Sequence, residues 1–175
     1  MEIQRPSKDE YYLGIAREVA KRAVCFRRFY GAIIVKDDQI VATGYNGAPR
    51  KTLDCFERKY CLRSKLNIPA GQRYELCASV HAEQNAVINA ARAGVSLLGG
   101  DIYIFGQSSK GEPLDAFPCF ICKKIIINAG LARTICSTKN RKMRIFSVED
   151  WVREWSNPRK SIIDDDFQYG ERFKG

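Results

Sequence analysis

The sequence lacks any apolar run long enough to cross a bilayer, and its first residues contain no apolar core of a signal peptide. It also lacks internal repeats, low-complexity stretches and a recognisable linker. We therefore expect a cytoplasmic protein with no membrane partner, folded as a single domain over residues 1–157 and followed by an irregular tail over residues 158–175. At 175 residues the chain can bury a core without disulfide bonds.

Acidic side chains are in deficit, because 20 Asp and Glu face 29 Lys and Arg and leave a net charge of +9 at pH 7. An excess of this size favours an anionic partner, either a nucleotide or a nucleic acid. The alternative is a solvated basic surface with no specific ligand.

Histidine occurs once, whereas cysteine occurs seven times. In a reducing compartment, an odd number of cysteines with several closely spaced pairs indicates metal chemistry rather than a disulfide framework.

Strand-like and helix-like segments alternate along the chain, which predicts an α/β layered domain. A capping box at residues 7–10 begins a helix that we expect to reach about Val24. The other expected elements are a hairpin over 32–35 and 39–43, helices over 80–93, 118–128 and from 147 to Pro158, and strands over 101–105, 132–137 and 143–146.

The single histidine begins the segment His81-Ala82-Glu83, and Cys119 and Cys122 follow in a Pro-Cys-x-x-Cys segment. This pattern matches the zinc nucleobase-deaminase signature, in which one His and two Cys hold Zn²⁺, the metal activates hydroxide as the nucleophile, and the Glu is the general acid/base. Two cysteines three residues apart at a helix start place both sulfurs on one side, and the helix N-terminus favours their thiolates. Three ligands leave one tetrahedral position open, as in catalytic zinc sites.

Each half of this pattern also has a simpler interpretation. A lone histidine is usually a satisfied core or surface residue, and a lone Cys-x-x-Cys is found in redox pairs and zinc knuckles. The two halves together, each beginning a predicted helix, favour the catalytic zinc site.

The sequence around these motifs resembles the deoxycytidylate (dCMP) deaminases of the cytidine deaminase-like superfamily, over roughly residues 8–137. The resemblance rests on residues 31–35, 44–49, 81–86 and 118–122, followed by 128–130. It implies a three-layer α/β/α sandwich around a five-stranded mixed sheet. It also implies that Asn46, in the segment Gly44–Pro49, hydrogen-bonds the substrate sugar and that Ala82 lies in the substrate site. A turn residue before a glycine is the alternative for Asn46.

A second, structural zinc is implied by the same resemblance, since some family members hold one with cysteines at the positions of Cys25 and Cys55. The chain has no further histidine to complete such a site, so Cys61 and Cys77 are the candidates for a closed Cys₄ set. Such a site would pin the long loop over residues 49–79. Free buried cysteines are the alternative.

Phosphate recognition follows the family pattern less closely. Where the family commonly has tyrosines, this chain has residues 137–142, with Lys139 and Arg141 as candidate contacts. Arg92 stands where the family often has an arginine. The loop over residues 106–117, beside the expected active site, is longer than usual for the family.

These features together predict a zinc-dependent hydrolase that converts dCMP to dUMP and ammonia. Alternatives are a cytosine or adenine deaminase acting on RNA or single-stranded DNA, a dCTP or dual dCMP/dCTP deaminase, and a catalytically silent nucleotide-sensing zinc module. Glu83 argues against a silent module, because a structural site has no need of it. The resemblance further implies a homo-oligomer, often a hexamer, with dCTP and dTTP as effectors.

Overall fold

A five-stranded mixed sheet organises the chain in the computed structural model, which describes residues 5–69 and 71–157. The strand order is β2-β1-β3-β4-β5, and only the β3–β4 pair is parallel. The strands are β1 (Arg28–Lys36), β2 (Gln39–Tyr45), β3 (Asp101–Ser108), β4 (Arg133–Ser137) and β5 (Met143–Ser147). This is the expected mixed sheet. The predicted tail over residues 158–175 lies outside the described residues.

Helices cover both faces of the sheet, as the three-layer sandwich requires. The helices are α1 (Lys8–Ala20), α2 (Cys55–Arg58), α3 (Leu62–Lys65), α4 (Ala82–Arg92), α5 (Phe120–Asn128) and α6 (Val148–Trp155). On one face, α1 packs Tyr12 and Ala16 against Ile33, Tyr103 and Ile135. On the other, α4, α5 and α6 form the larger core with the opposite side chains of the strands. Among the described helices, none is long and apolar enough to span a membrane.

Several predicted bounds differ from the structure: β1 and β3 are longer than expected, α4 begins two residues later, and α6 ends at Trp155. Two other helix ends differ for a local reason. The first helix stops at Ala20 rather than near Val24, because the Val24 amide donates to the Asn46 carbonyl at 3.3 Å and turns the chain toward β1. Helix α5 begins at Phe120 rather than Pro118, because Cys119 has an extended backbone as the N-cap. The predicted loop over residues 49–79 contains α2, α3 and a short 3₁₀ turn at Tyr74–Leu76.

Two glycines of the family-like segments are required by close helix contacts. A Cβ on Gly31 would lie 2.3 Å from the Ala16 carbonyl oxygen of α1, and one on Gly44 would lie 2.3 Å from the Ala86 nitrogen of α4. Contacts this short do not occur in folded proteins, so no side chain fits at either position. The absence of a Cβ on Gly44 lets α4, which begins next to His81, pack directly on β2.

We expect Gly44→Ala to lower the free energy of unfolding by about 1–3 kcal/mol, because the added methyl group pushes α4 away from the sheet. Gly14→Ala is the control, because its Cβ would meet nothing within 4 Å and alanine favours the helix interior by up to about 1 kcal/mol. Urea unfolding of both variants with equal zinc content measures the difference. An unchanged stability of Gly44→Ala would contradict the close packing.

Candidate active site

The segment before α4 is held against the turn after β2. Gly47 and Val80 exchange backbone hydrogen bonds, with Val80 N donating to Gly47 O at 2.8 Å and Gly47 N to Val80 O at 3.2 Å. His81 follows as the N-cap of α4, and its amide donates to the Gln84 side chain at 3.0 Å. The backbone of His81 is therefore fixed by contacts on both sides.

The start of α5 brings the two thiols to this histidine. Cys119 is the N-cap of α5, and Cys122 lies in its first turn. Both Sγ atoms are 3.4 Å from Nδ1 of His81. Within the described residues, these three form the only group of three or more potential metal ligands whose donor atoms lie within 4.8 Å of one another.

The donor set fits zinc. Two thiols and one imidazole nitrogen are ligand types that Zn²⁺ prefers, and three protein ligands leave a coordination position open, as in catalytic sites. The two cysteines are buried, and both lie at the positive end of a helix, where thiolates are stabilised.

Burial and mutual contacts shift the pKa values of this cluster. The Cys122 thiol and the His81 ring hydrogen-bond Cys119 and lower the pKa of its thiol, while the bond to Cys119 and burial raise the pKa of Cys122. Burial also raises the pKa of Glu83. For His81, burial by itself would lower the pKa. The hydrogen bond to Cys119 and the charge of the Glu83 carboxylate outweigh this effect, so the pKa of His81 is raised.

A cavity of about 450 Å³ opens onto His81, Glu83 and Cys119. Its lining arginines come from the start of β1 with the residue before it and from the loop between β2 and α4; they are Arg27, Arg28, Arg58 and Arg63. Asp115 and Phe117 border the cavity from the loop that follows β3. This loop begins after Ser108 rather than at the predicted residue 106, because β3 is longer than expected.

The structure places Asn46 and Ala82 in the wall of the same cavity. The Asn46 side chain accepts a hydrogen bond from Tyr30 N at 2.7 Å and donates one to Arg28 O at 3.1 Å, so it fixes the end of β2 against β1. These two contacts use the side-chain oxygen and one of the two amide hydrogens of Asn46, and the second amide hydrogen takes part in neither. Its predicted role toward a sugar stays a prediction.

The three basic residues predicted to contact phosphate are not gathered at this cavity. Arg92 is exposed at the end of α4. Arg141 lines a different cavity, beside α1. Lys139 reaches only the rim, where its Nζ lies 3.9 Å from Asp115.

The four remaining predicted ligands, Cys25, Cys55, Cys61 and Cys77, also line the active-site cavity. Burial raises the pKa of the Cys55 thiol, and the charges of the other three thiols raise it further. The four side chains therefore surround one space, although they are not drawn to within ligand distance of one another as the His81 group is.

Sequence reasoning missed several residues of the cavity, among them Arg63, Tyr30 and Tyr74. Arg63 is 7% exposed, an unusual burial for a lone arginine. Nothing in the local sequence separates it from the other basic residues, because its burial depends on the path of the loop.

Comparison with known proteins places this site in a family. The family model of the cytidine and deoxycytidylate deaminase zinc-binding region matches residues 6–138. The chain belongs to this family. It is 34% identical over 137 residues to the deoxycytidylate deaminase of Mycobacterium phage D29, and the alignment covers 76% of this chain and 96% of that protein. It is 32% identical to the deoxycytidylate deaminase of Schizosaccharomyces pombe over 77% of this chain, but spans only 38% of that longer protein.

Solved structures agree with this assignment. The dCMP deaminase of cyanophage S-TIM5, solved in complex with dCMP and dUMP, has 26% sequence identity and a TM-score of 0.52, with 74% of this chain and 79% of that chain covered. Cytidine deaminase from Burkholderia pseudomallei, at 18% identity and a TM-score of 0.56 over 82% of this chain and 95% of that chain, shows the same fold.

We expect Cys119 to be the more readily alkylated thiol of the metal-free site. Cys119 faces the cavity and its pKa is lowered, so its thiolate persists at pH values where an ordinary thiol is protonated and unreactive. Burial raises the pKa of Cys136, which serves as the internal reference. Iodoacetamide labelling from pH 6 to pH 8, followed by peptide mass spectrometry, measures the alkylation rates of Cys119 and Cys136.

Zinc loading should abolish the labelling of Cys119. Equal rates at Cys119 and Cys136, or labelling of Cys119 that zinc leaves unchanged, would contradict the assignment of Cys119 as a metal ligand.

Proposed function

We propose that this protein catalyses the hydrolytic deamination of dCMP to dUMP and ammonia. The observation that supports this most directly is the position of Glu83, 6% exposed and in the wall of the same cavity as His81 and Cys119. A carboxyl group beside a three-ligand zinc site is the arrangement that nucleobase deaminases use. The family relationship and the dCMP-bound S-TIM5 relative support the choice of substrate.

His81, Cys119 and Cys122 would hold the metal. Zinc, when bound, acts as a Lewis acid that lowers the pKa of water toward neutrality. The chain itself contributes the proton transfers. Glu83 takes the proton of the attacking water and delivers it to the ring nitrogen next to the amino-bearing carbon. That protonation makes the amino-bearing carbon, otherwise a poor electrophile, open to attack by the water oxygen. Glu83 then takes the remaining proton of the former water from the new hydroxyl group and passes it to the amino group, which departs as ammonia.

The raised pKa of Glu83 suits this exchange, because burial favours the neutral carboxylic acid over the carboxylate, so Glu83 can hold the proton between the two transfers. The cavity has room for a nucleotide-sized ligand. Asn46, at the end of β2, is the candidate contact for the deoxyribose. The arginines that line the wall give the anionic phosphate a basic environment, which the exposed Arg92 and the distant Arg141 do not.

Glu83→Gln should retain zinc but lose turnover by about 10²–10⁴-fold, because the amide preserves the shape of the carboxylate and cannot exchange protons. Glu112→Gln, an exposed carboxylate in the loop beside the cavity, is the matched control and should keep wild-type activity. Ammonia release and metal content are measured on both variants. An active Glu83→Gln enzyme would overturn the role of Glu83.

The substrate is tested on the zinc-loaded protein with deoxycytidine, dCMP, dCTP, CMP and a cytosine-containing oligonucleotide. Each is assayed with and without added dCTP as effector. Turnover confined to dCMP supports the proposal. Activity on the oligonucleotide with none on free nucleotides would instead assign the basic surface to a nucleic acid.

The proposal includes a second, structural zinc held by Cys25, Cys55, Cys61 and Cys77. Its support is that these four cysteines line the same cavity and that the thiols of Cys25, Cys61 and Cys77 lie near enough to Cys55 to raise its pKa. Cys55 begins α2, Cys61 is the N-cap of α3 and Cys77 follows the 3₁₀ turn. Near Cys25, the Arg27 amide donates a hydrogen bond to the sulfur at 3.4 Å.

Wild-type protein should contain two zinc ions per chain, and Cys61→Ser should contain one, because a serine oxygen is a poor replacement for a thiolate ligand. Cys136→Ala, a buried cysteine outside both sets, should keep two. Elemental analysis of dialysed protein gives the count. A single zinc in the wild type would exclude the Cys₄ site and leave the catalytic assignment intact.

A further inference from the structure

Arg63 is a buried cation whose contacts lie within its own loop. It stands on α3 and is 7% exposed. One terminal nitrogen donates to the Pro69 carbonyl oxygen at 2.9 Å, while its Nε is buried and has no hydrogen-bond partner in the described part of the chain. Burying a guanidinium is costly unless other groups compensate its charge.

Tyr74 provides part of that compensation. The guanidinium carbon of Arg63 lies 5.0 Å from the centroid of the Tyr74 ring, within the range of a cation–π contact. Such contacts are stronger when the cation is withdrawn from water. The pair therefore fixes the position of the Tyr74 ring relative to α3.

The same tyrosine ring touches the predicted zinc ligand. The centroids of the Tyr74 and His81 rings are 4.8 Å apart and their planes meet at 86°, a T-shaped aromatic contact. Nδ1 of His81 faces Cys119 and Cys122. The imidazole is thus held between the two thiols and the aromatic ring.

We propose that Tyr74 and Arg63 are positioning residues for His81, with Tyr74 setting the orientation of the imidazole and Arg63 holding Tyr74 in place. The backbone of His81 is fixed as the N-cap of α4, but its side-chain torsions are not, and a metal ligand needs a defined ring direction. Groups in contact with ligating histidines supply that direction, and their loss typically weakens metal binding about 10–100-fold. Here an aromatic ring takes the place of the more usual hydrogen-bond partner.

The loop gains a function from this arrangement. Both Arg63 and Tyr74 belong to the segment between Cys61 and Cys77, so its fold determines how firmly His81 is held. The proposal does not depend on the identity of the substrate or on the second zinc.

The test measures the metal site without substrate. Zinc release to a chromogenic chelator and the visible absorption of the cobalt-substituted protein are recorded for Tyr74→Leu, Tyr74→Phe and Arg63→Met. We expect Tyr74→Leu to release zinc about tenfold faster and to alter the cobalt spectrum. Tyr74→Phe, which keeps the ring, should match the wild type, and Arg63→Met should release zinc about threefold faster.

Tyr60→Leu is the matched control, because Tyr60, directly before this segment, forms a cation–π pair with Lys65 within it, at 4.1 Å. It should leave zinc release and the cobalt spectrum unchanged. Thermal unfolding of every variant separates loss of folding from loss of ligand orientation, and Arg63→Met tests the idea with the tyrosine intact if Tyr74→Leu does not fold.

Wild-type zinc release and an unaltered cobalt spectrum in folded Tyr74→Leu would overturn the proposal. Equal effects of Tyr60→Leu and Tyr74→Leu would also overturn it, since they would mean that the loop acts as a whole. Because no readout involves deamination, either result leaves the proposed reaction to be decided by the substrate panel.

Discussion

The convergence of two helix N-termini on one point is the constraint on which the site depends. Helix α4 begins after His81 and α5 begins after Cys119, and both lie on the same face of the sheet. Each N-cap residue has an extended backbone and lies at the point where its helix begins. The positive ends of two helices then face a cluster of groups that become anionic, which lowers the cost of holding thiolates in a buried position.

Charge in this cluster explains why a divalent cation belongs there. Ionised Cys119, Cys122 and Glu83 would place three negative charges in one desolvated region. The hydrogen bond between the two thiols lowers the pKa of Cys119 and raises that of Cys122, which disfavours simultaneous ionisation of both. Two positive charges would stabilise both thiolates and leave one carboxyl group to exchange protons. The binding of the metal and its proposed catalytic role would therefore follow from the same local imbalance of charge.

The central motifs were predictable because each is local in sequence. The His81 and Cys119 segments contain their own helix starts, and the period of apolar residues locates the strands that precede them. Gly31 and Gly44 belong to segments that already indicated the family, and the structure adds the reason, which is direct contact between helix and strand. Among the predicted helices, a tertiary hydrogen bond at Val24 and the extended N-cap at Cys119 decided boundaries that periodicity had placed elsewhere.

The loop between β2 and α4 shows why the rest could not be predicted. Whether a given arginine faces the cavity or solvent depends on the three-dimensional path of the loop, which neither periodicity nor spacing encodes. Arg92 and Arg141 were plausible by position, yet the buried arginine is Arg63. Its partner Tyr74 is equally ordinary in sequence. Only the folded loop shows that a cation, an aromatic ring and a metal-binding imidazole follow one another in contact, so the orientation of a predicted ligand depends on residues that the motif does not contain.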